Sequence, residues 1–363
     1  MNILFALTGL HRHDRGAEQA FISIASELVK TNDSVTLIGS GQEREATPYR
    51  FLRAVSLRRE RFERFPSLPG LRDECGYEEL TFVPDFLRRY RPADYDIVVT
   101  CGYPFTNWML RRPVLWGRKP RHVFVTQNGD WAAQARNSEY RFFRCDGLVC
   151  TNPEFYRRNR DRWLCKLIPN GVDFDRFTPG LGEREEFGLP KDRRIVLMVS
   201  ALIPTKRVEV GIAAVARVPN AHLVVAGDGP LRETIAATAA ELLPGRFTRV
   251  SVAPMKMPQL YRCADAFLHL SKDEPSSLAF LEAMACGLPV VAHESPQLRW
   301  IAGAEEYLLD TDDSEAVSGQ LEAALGRGSF DREGRRGKIE AFSWTRIAER
   351  YRGFFREILE SNG

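Results

Sequence analysis

Several things are missing from this chain of 363 residues, and each absence closes off a class of protein. No uncharged apolar run approaches the roughly 18 residues needed to cross a membrane. No basic segment precedes the short apolar run in MNILFALTGLHRHDRG, so the opening reads as a first β-strand and not as a signal peptide. Cysteine is sparse. Cys75, Cys101, Cys145, Cys150, Cys165, Cys263 and Cys286 are odd in number and include no CxxC pair, which argues against a disulfide framework and against a zinc site. A reducing, cytoplasmic compartment is the expectation that follows. No short-period repeat runs along the chain. Nor does charge of one sign dominate: the formal net charge is +3, without the steep basic bias and interleaved aromatics of a nucleic-acid reader.

What is present is ordinary globular composition, 44% hydrophobic and 27% charged, in a chain long enough for two domains of about 150 residues each. The mild net charge hides a division. Residues 1–170 carry 27 Lys and Arg against 20 Asp and Glu, while the remainder carries 24 against 28. The two halves therefore suit different partners.

Short apolar runs alternate with helical spacing. Asn2–Thr8 is followed by Ala17, Ala20, Phe21, Ile24 and Leu28, and later runs are Ser34–Gly39, Asp96–Cys101, His122–Gln127 and Gly147–Thr151. Near-continuous apolar strands separated by helices predict an α/β fold with parallel sheets covered on both faces. IPNGVDFDRFTPG, residues 168–180, interrupts the pattern with Pro169, Asn170, Gly171, Pro179 and Gly180. The pattern then restarts, with strands expected at Arg194–Ala201, His222–Gly227, Ser251–Ala253, Ala266–Ser271 and from Pro289 to His293. The tail from Asp313 reads as mostly helical. Two Rossmann-like units, 1–168 and 169–342, are expected, with ligands beyond the carboxyl ends of the strands in a cleft between them.

The stretch richest in chemistry is LSKDEPSSLAFLEAMACGLPVVA, residues 270–292. Ser276 and Ser277 are N-cap candidates, and Gly287 followed by Pro289 is a stop, so a helix is expected from about Leu278 to Cys286. Only Glu282 interrupts its apolar surface. The helix should be buried, and a lone carboxylate there is costly unless something binds it. Helical side chains tilt toward the N-terminus, which brings Glu282 back toward the loop carrying Glu274. The same loop offers free backbone N–H groups at the helix start, a ready anion site. Carboxylates for sugar hydroxyls beside N–H groups for phosphate suit a nucleotide-sugar. A buried structural glutamate capped by neighbouring backbone or an arginine fits the same spacing.

Glu274 and Glu282 also form an E-x7-E motif followed by AMACGLPVVA, which resembles the signature of family 4 glycosyltransferases, a family with the GT-B fold. IPNGVDFDRFTP resembles that family's interdomain linker, VSALIPTKR (199–207) its strand–loop–helix with a phosphate-binding lysine, and VVAGDGPLR (224–232) a further matching segment. The resemblance is dense from 168 to 292 and thinner before that. It implies a retaining transfer from a nucleotide-diphosphate sugar, a UDP- or GDP-sugar above all, to a glycan or lipid-linked acceptor, with no metal and no other cofactor. Glu282 would hold the ribose hydroxyls and Glu274 the donor sugar. Backbone N–H groups of Ser276, Ser277 and Leu278 would hold sugar or phosphate. Lys206 would neutralise the charge developing on the diphosphate, with Arg207 as a second candidate cation. Gly16, Gly227 and Gly229 stand where glycine turns approach the donor. A final helix over 343–363 would pack back on the first domain.

Four departures from the family pattern stand out. Ala201 occupies the position of an arginine, Ser276-Ser277 that of Phe-Gly, and Arg15 that of the first glycine of a Gly-Gly pair. Gln127 and Asn128 replace a histidine; neutral amides hydrogen-bond sugar hydroxyls but are no base at neutral pH. Asp130 and Trp131 lie beside them, with Trp131 readable as a sugar-stacking ring or as a packed aromatic. His11, His13 and Asp14 form a polar cluster with no further metal ligand in view. His269, inside an apolar strand, reads as a core histidine.

The basic character of the first half is concentrated. Seven arginines lie between Arg44 and Arg64, interleaved with Phe51, Leu52, Val55, Phe62 and Phe65. A second cluster is RRPVLWGRKPR, residues 111–121. The first resembles a basic amphipathic helix able to rest on an anionic membrane, at the inner face in a cytoplasmic setting. A solvated charged face partly compensated by Glu60 and Glu63 is the plainer reading. Two rivals to glycosyl transfer are a nucleotide-sugar epimerase of the same fold and a non-catalytic sugar-nucleotide-binding subunit. The missing histidine counts against the first, and Glu274, Glu282 and Lys206 against the second.

Overall fold

The computed structural model describes residues 1–111, 119–134, 138–272, 277–303, 307–327 and 331–361. The chain divides into two compact units, Met1–Asn170 with Trp344–Gly363, and Gly171–Ser343. Among the described residues, the first unit holds a seven-stranded sheet: β1 (Asn2–Ala6), β2 (Ser34–Gly39), β3 (Arg50–Arg53), β4 (Ile97–Thr100), β5 (Arg121–Val125), β6 (Gly147–Cys150) and β7 (Cys165–Leu167). Their spatial order is β3-β2-β1-β4-β5-β6-β7, every pair parallel. Apolar residues run almost unbroken through β1 because both of its faces are covered. On one face Leu4 and Ala6 join Phe82 and Phe86 of the helix Glu74–Arg89. On the other, Phe5 meets Phe21 of the helix Gly16–Lys30 edge to face, with centroids 5.2 Å apart.

The helix Trp344–Glu360 belongs to this first unit. Its buried Trp344, Ile347, Ala348, Tyr351, Phe354, Phe355 and Ile358 recur at helical spacing. It is pinned by Thr345 Oγ1 donating to Glu27 Oε2 at 3.1 Å and by Arg352 Nε donating to the buried Asp33 carboxylate at 2.8 Å. At Gly147 a Cβ would come within 2.2 Å of Ile358, so the absent side chain is what admits this helix to β6.

The second unit's sheet comprises β8 (Arg194–Val199), β9 (Ala221–Ala226), β10 (Phe247–Val250), β11 (Ala266–His269), β12 (Val290–His293) and β13 (Tyr307–Leu309). The order is β10-β9-β8-β11-β12-β13, again all parallel among the described residues. Both sheets thus reverse direction of winding beside their own first strand, at β1/β4 and at β8/β11. In open α/β sheets that reversal opens a crevice at the carboxyl ends of the strands, where ligands bind.

The segment from Gly171 to Gly180 lies along the second unit, held by three arginines. Arg262 donates to Thr178 Oγ1 at 2.7 Å, Arg336 to the carbonyls of Phe174 (2.7 Å) and Ala285 (3.0 Å), and Arg332 to that of Gly180 at 2.9 Å.

Two expectations are corrected. The stretch Arg44–Arg64 is no amphipathic helix: it contains β3 and a short 3-10 turn at Arg59–Phe62. In β3 the flanking Arg50 and Arg53 are exposed while Phe51 is buried against His11, so arginines interleaved with apolar residues mark a sheet edge here. The strand placed at Ser251–Ala253 lies earlier, at Phe247–Val250, where Arg249 sits within β10 and obscures its apolar run. No described helix is long and apolar enough to cross a membrane.

Candidate functional site

In the second unit, the carboxyl ends of β8 and β11 carry most of the residues singled out by sequence. β8 runs into a 3-10 turn, Pro204–Lys206, and then into the helix Val208–Ala216. β11 leads through Leu270–Lys272 to the helix Leu278–Ala285, which carries Glu282. Glu274 and Ser276 lie outside the described residues. Ser277 is the N-cap: its Oγ accepts from the Phe280 N–H at 3.2 Å and fixes where the helix begins. Leu278 is its first residue.

Glu282 is half-buried, and burial pushes its carboxyl above the ordinary glutamate range. Two groups work against that shift. The hydroxyl of the fully buried Tyr261 donates to Glu282 Oε2 at 2.8 Å, and the positive charge of Arg176 lies nearby. Burial, and then the neighbouring carboxylate, push the Tyr261 phenol well above its ordinary value, so it remains a proton donor in this pair.

Arg207 does not stand open to a ligand. It sits at φ 54° between the 3-10 turn and the following helix, and its guanidinium reaches across to the loop after β13. It donates to Thr311 Oγ1 at 2.6 Å, to the Thr311 carbonyl at 3.0 Å and to Asp312 at 2.7 Å. Lys272 donates to the other oxygen of Asp312 at 2.5 Å. Asp312 therefore joins the two loops that carry Lys206 and the approach to Glu282. Lys206 is half-buried at the end of its turn.

Gly227 and Gly229 meet protein backbone at close range. A Cβ on Gly227 would lie 1.9 Å from the Ser200 carbonyl oxygen, and one on Gly229 would lie 2.6 Å from that of Leu202. Their absence lets the loop after β9 pack on the loop after β8, tied by the Leu202 N–H to Asp228 O at 3.0 Å and the Leu231 N–H to Leu202 O at 3.1 Å. Between them, Ser200 Oγ is buried without a hydrogen-bond partner among the described residues. Neither Ser200 nor Tyr261 has a local sequence signal. Tyr261 stands 21 residues from its carboxylate, and only the fold brings them together.

The first unit sorts its candidates differently. Gly16 opens the helix Gly16–Lys30, and the buried Glu18 in its first turn folds over Gly9. Gln127 is engaged in a reciprocal amide pair with Asn170, at 2.5 and 3.0 Å. Asn128 is exposed. Asp130 is buried, ion-paired with Arg158 at 2.9 Å and accepting from Asn159 at 2.7 Å. Trp131 stacks on Tyr140 and Tyr103, with centroids 5.4 and 6.1 Å away. His11 is fully engaged, hydrogen-bonded to Gln42 O and Tyr49 Oη and stacked on Phe51. Among the described residues no three His, Cys, Asp or Glu side chains gather into a metal-binding group.

Comparisons with known proteins agree with this geometry. Residues 15–176 match the family model described as Glycosyltransferase Family 4, and residues 182–335 match Glycosyl transferases group 1. A D-inositol 3-phosphate glycosyltransferase of Mycolicibacterium smegmatis is 36% identical over 146 residues, covering 37% of this chain and 33% of that protein. A GDP-mannose-dependent alpha-(1-6)-phosphatidylinositol monomannoside mannosyltransferase of the same organism is 34% identical over 170 residues, 42% of each chain. The matches thus span less than half the length of these curated relatives. Among solved structures, a sucrose-phosphate synthase from Thermosynechococcus elongatus superposes with a TM-score of 0.81 at 20% identity, covering 100% of both chains, and supports the fold. With both halves matched and both Rossmann-like sheets in place, the chain belongs to glycosyltransferase family 4 and has the GT-B fold.

Proposed function

We propose that this protein transfers a sugar from a nucleotide-diphosphate donor, UDP- or GDP-linked, to a glycan or lipid-linked acceptor with retention of configuration. The observation that carries the reading is the placement of Lys206 and of the Glu282 helix beyond β8 and β11, the two strands flanking the switch point of the second sheet. Glu282 binds the ribose hydroxyls, Glu274 the donor sugar, and N–H groups at the start of the Leu278–Ala285 helix bind sugar or phosphate. Lys206 stabilises the leaving diphosphate as the bond between the anomeric carbon and the phosphate oxygen breaks. The acceptor oxygen bonds to that carbon on the same face, and its proton passes to the departing phosphate. No side-chain base is needed, in keeping with the neutral, internally paired Gln127. The second unit serves the donor and the first the acceptor.

The names of the matched relatives support a phosphate-bearing or lipid-linked acceptor and make GDP-mannose a donor worth testing first. Surface polysaccharide or glycolipid assembly is the setting that follows. Exposed Val55, Leu57, Phe65 and Leu68, interspersed with exposed Arg58, Arg61 and Arg64, support contact with an anionic membrane by a loop surface.

Thermal shift with UDP, GDP, ADP and dTDP, followed by transfer assays with the matching sugars, tests the assignment. Glu282→Ala and Lys206→Ala are expected to lower turnover by about 100-fold or more; full activity in either removes that residue from the site. Interconversion of donor epimers without transfer would favour an isomerase. Sedimentation with anionic liposomes at low salt is expected to carry the protein down, and at high salt to release it. A protein left in the supernatant at low salt disproves the membrane contact.

A further inference from the structure

The carboxylate proposed to bind ribose is held by a single described side chain. Tyr261 lies on the helix Met257–Cys263, its ring wedged between Phe177 and Phe267 at centroid distances of 5.7 and 5.8 Å. That packing leaves the phenol one direction, toward the helix Leu278–Ala285. There the hydroxyl lies 2.8 Å from Glu282 Oε2 and 3.3 Å from the Ala279 carbonyl. Among the described residues Glu282 Oε1 accepts no hydrogen bond. One oxygen is thus tethered and the other is left over.

We infer that Tyr261 is a positioning residue: it fixes Glu282 through Oε2 and leaves Oε1 to accept the ribose hydroxyls of the nucleotide. The inference rests on the ribose-binding role given to Glu282 above. An untethered glutamate at this site would spread over several rotamers and would have to be ordered at the moment of binding. The tether also favours the ionised carboxylate, the stronger acceptor for a hydroxyl. Among the described residues, the charged and titratable groups around Glu282 are Tyr261 from one helix, Arg176 from the segment along the unit, and Cys286 at the C-cap of its own helix. Removal of the phenol hydroxyl leaves, among the described residues, only Arg176 to oppose the effect of burial, so Glu282 protonates at higher pH.

The test uses the full chain and the free nucleotides UDP and GDP. Titration calorimetry from pH 5.5 to 8.5 compares the wild type with Y261F, E282Q and the double variant. Y261F is expected to weaken the preferred nucleotide by about tenfold, with the loss growing as pH falls and setting in at higher pH than in the wild type. The double variant should bind no more weakly than E282Q alone, because the tyrosine acts through the carboxylate. If E282Q binds nucleotide like the wild type, the ribose reading fails and this inference fails with it. If E282Q is weakened but Y261F is not, or if the two losses add, the inference alone is overturned. Should Y261F not fold, 3-fluorotyrosine at 261 keeps ring and hydroxyl while strengthening the donor. Its acid limb is expected at lower pH than that of the wild type, and an unchanged limb overturns the inference.

Discussion

At the scale of single residues, His122 makes the fold sensitive to acid. It lies buried in β5 with Nε2 2.8 Å from Thr100 Oγ1, and burial pulls its pKa down to about 4. Between the ordinary histidine value and that pKa, the unfolded chain binds a proton there that the folded chain refuses. Stability therefore falls as pH falls through this window, by about 3 kcal/mol over the whole of it. Thermal unfolding from pH 7 to 4.5 should show a shallower decline in His122→Asn than in the wild type; parallel curves would remove His122 as the cause. Residue roles were the least legible part of the sequence. Asp130 and Trp131 sit beside Gln127 and Asn128 in the chain, and nearness suggested a shared sugar contact. The structure pairs Asp130 with Arg158 and stacks Trp131 on Tyr140, partners that chain order alone does not indicate. Tyr261 carries no sequence signal for the same reason: its partner Glu282 lies 21 residues on. Arg207 followed a lysine at a promising turn, yet its partners Thr311 and Asp312 lie about a hundred residues on.

At the scale of elements, local signals served better. Ser277 and Gly287 bound the Glu282 helix, because caps and stops are chemistry between near neighbours. Strand β3 is not legible in the sequence because arginines spaced among aromatics fit a helix face as well as an edge strand, and only pairing with β2 decides between them. The loop contact between β8 and β9 gives a sharp test. Gly227→Ala drives a methyl group into the Ser200 carbonyl and should cost about 3 kcal/mol. Gly245→Ala also places an alanine at positive φ, 66°, but meets nothing within 4 Å. It should cost only about 1 kcal/mol. Urea midpoints of the two variants separate steric contact from backbone strain, and equal losses would show that the loop yields.

At the scale of the whole molecule, the α/β class and the parallel sheets follow from near-continuous apolar strands alternating with helices. Which strand neighbours which does not, since every strand reads alike until the winding order is known. The assignment of Trp344–Glu360 to the first unit has a measurable cost if undone. Its buried side chains contribute on the order of 10 kcal/mol of hydrophobic stabilisation before ordering entropy is subtracted. A chain ending at Ser343 should lose protection from hydrogen exchange throughout Gly16–Lys30 while β8–β12 remain protected. Equal protection in both sheets would show that the last helix is dispensable.

The same arrangement sets an order for synthesis on the ribosome. The second unit enters at Gly171 and leaves at Ser343, two ends joined by a β-bridge between Val172 and Ser343. All of its residues emerge before the first unit has received its final helix. Residues made before the second unit thus complete their packing only after it, and the surface around Gly147 waits, uncovered, until Trp344–Glu360 is translated.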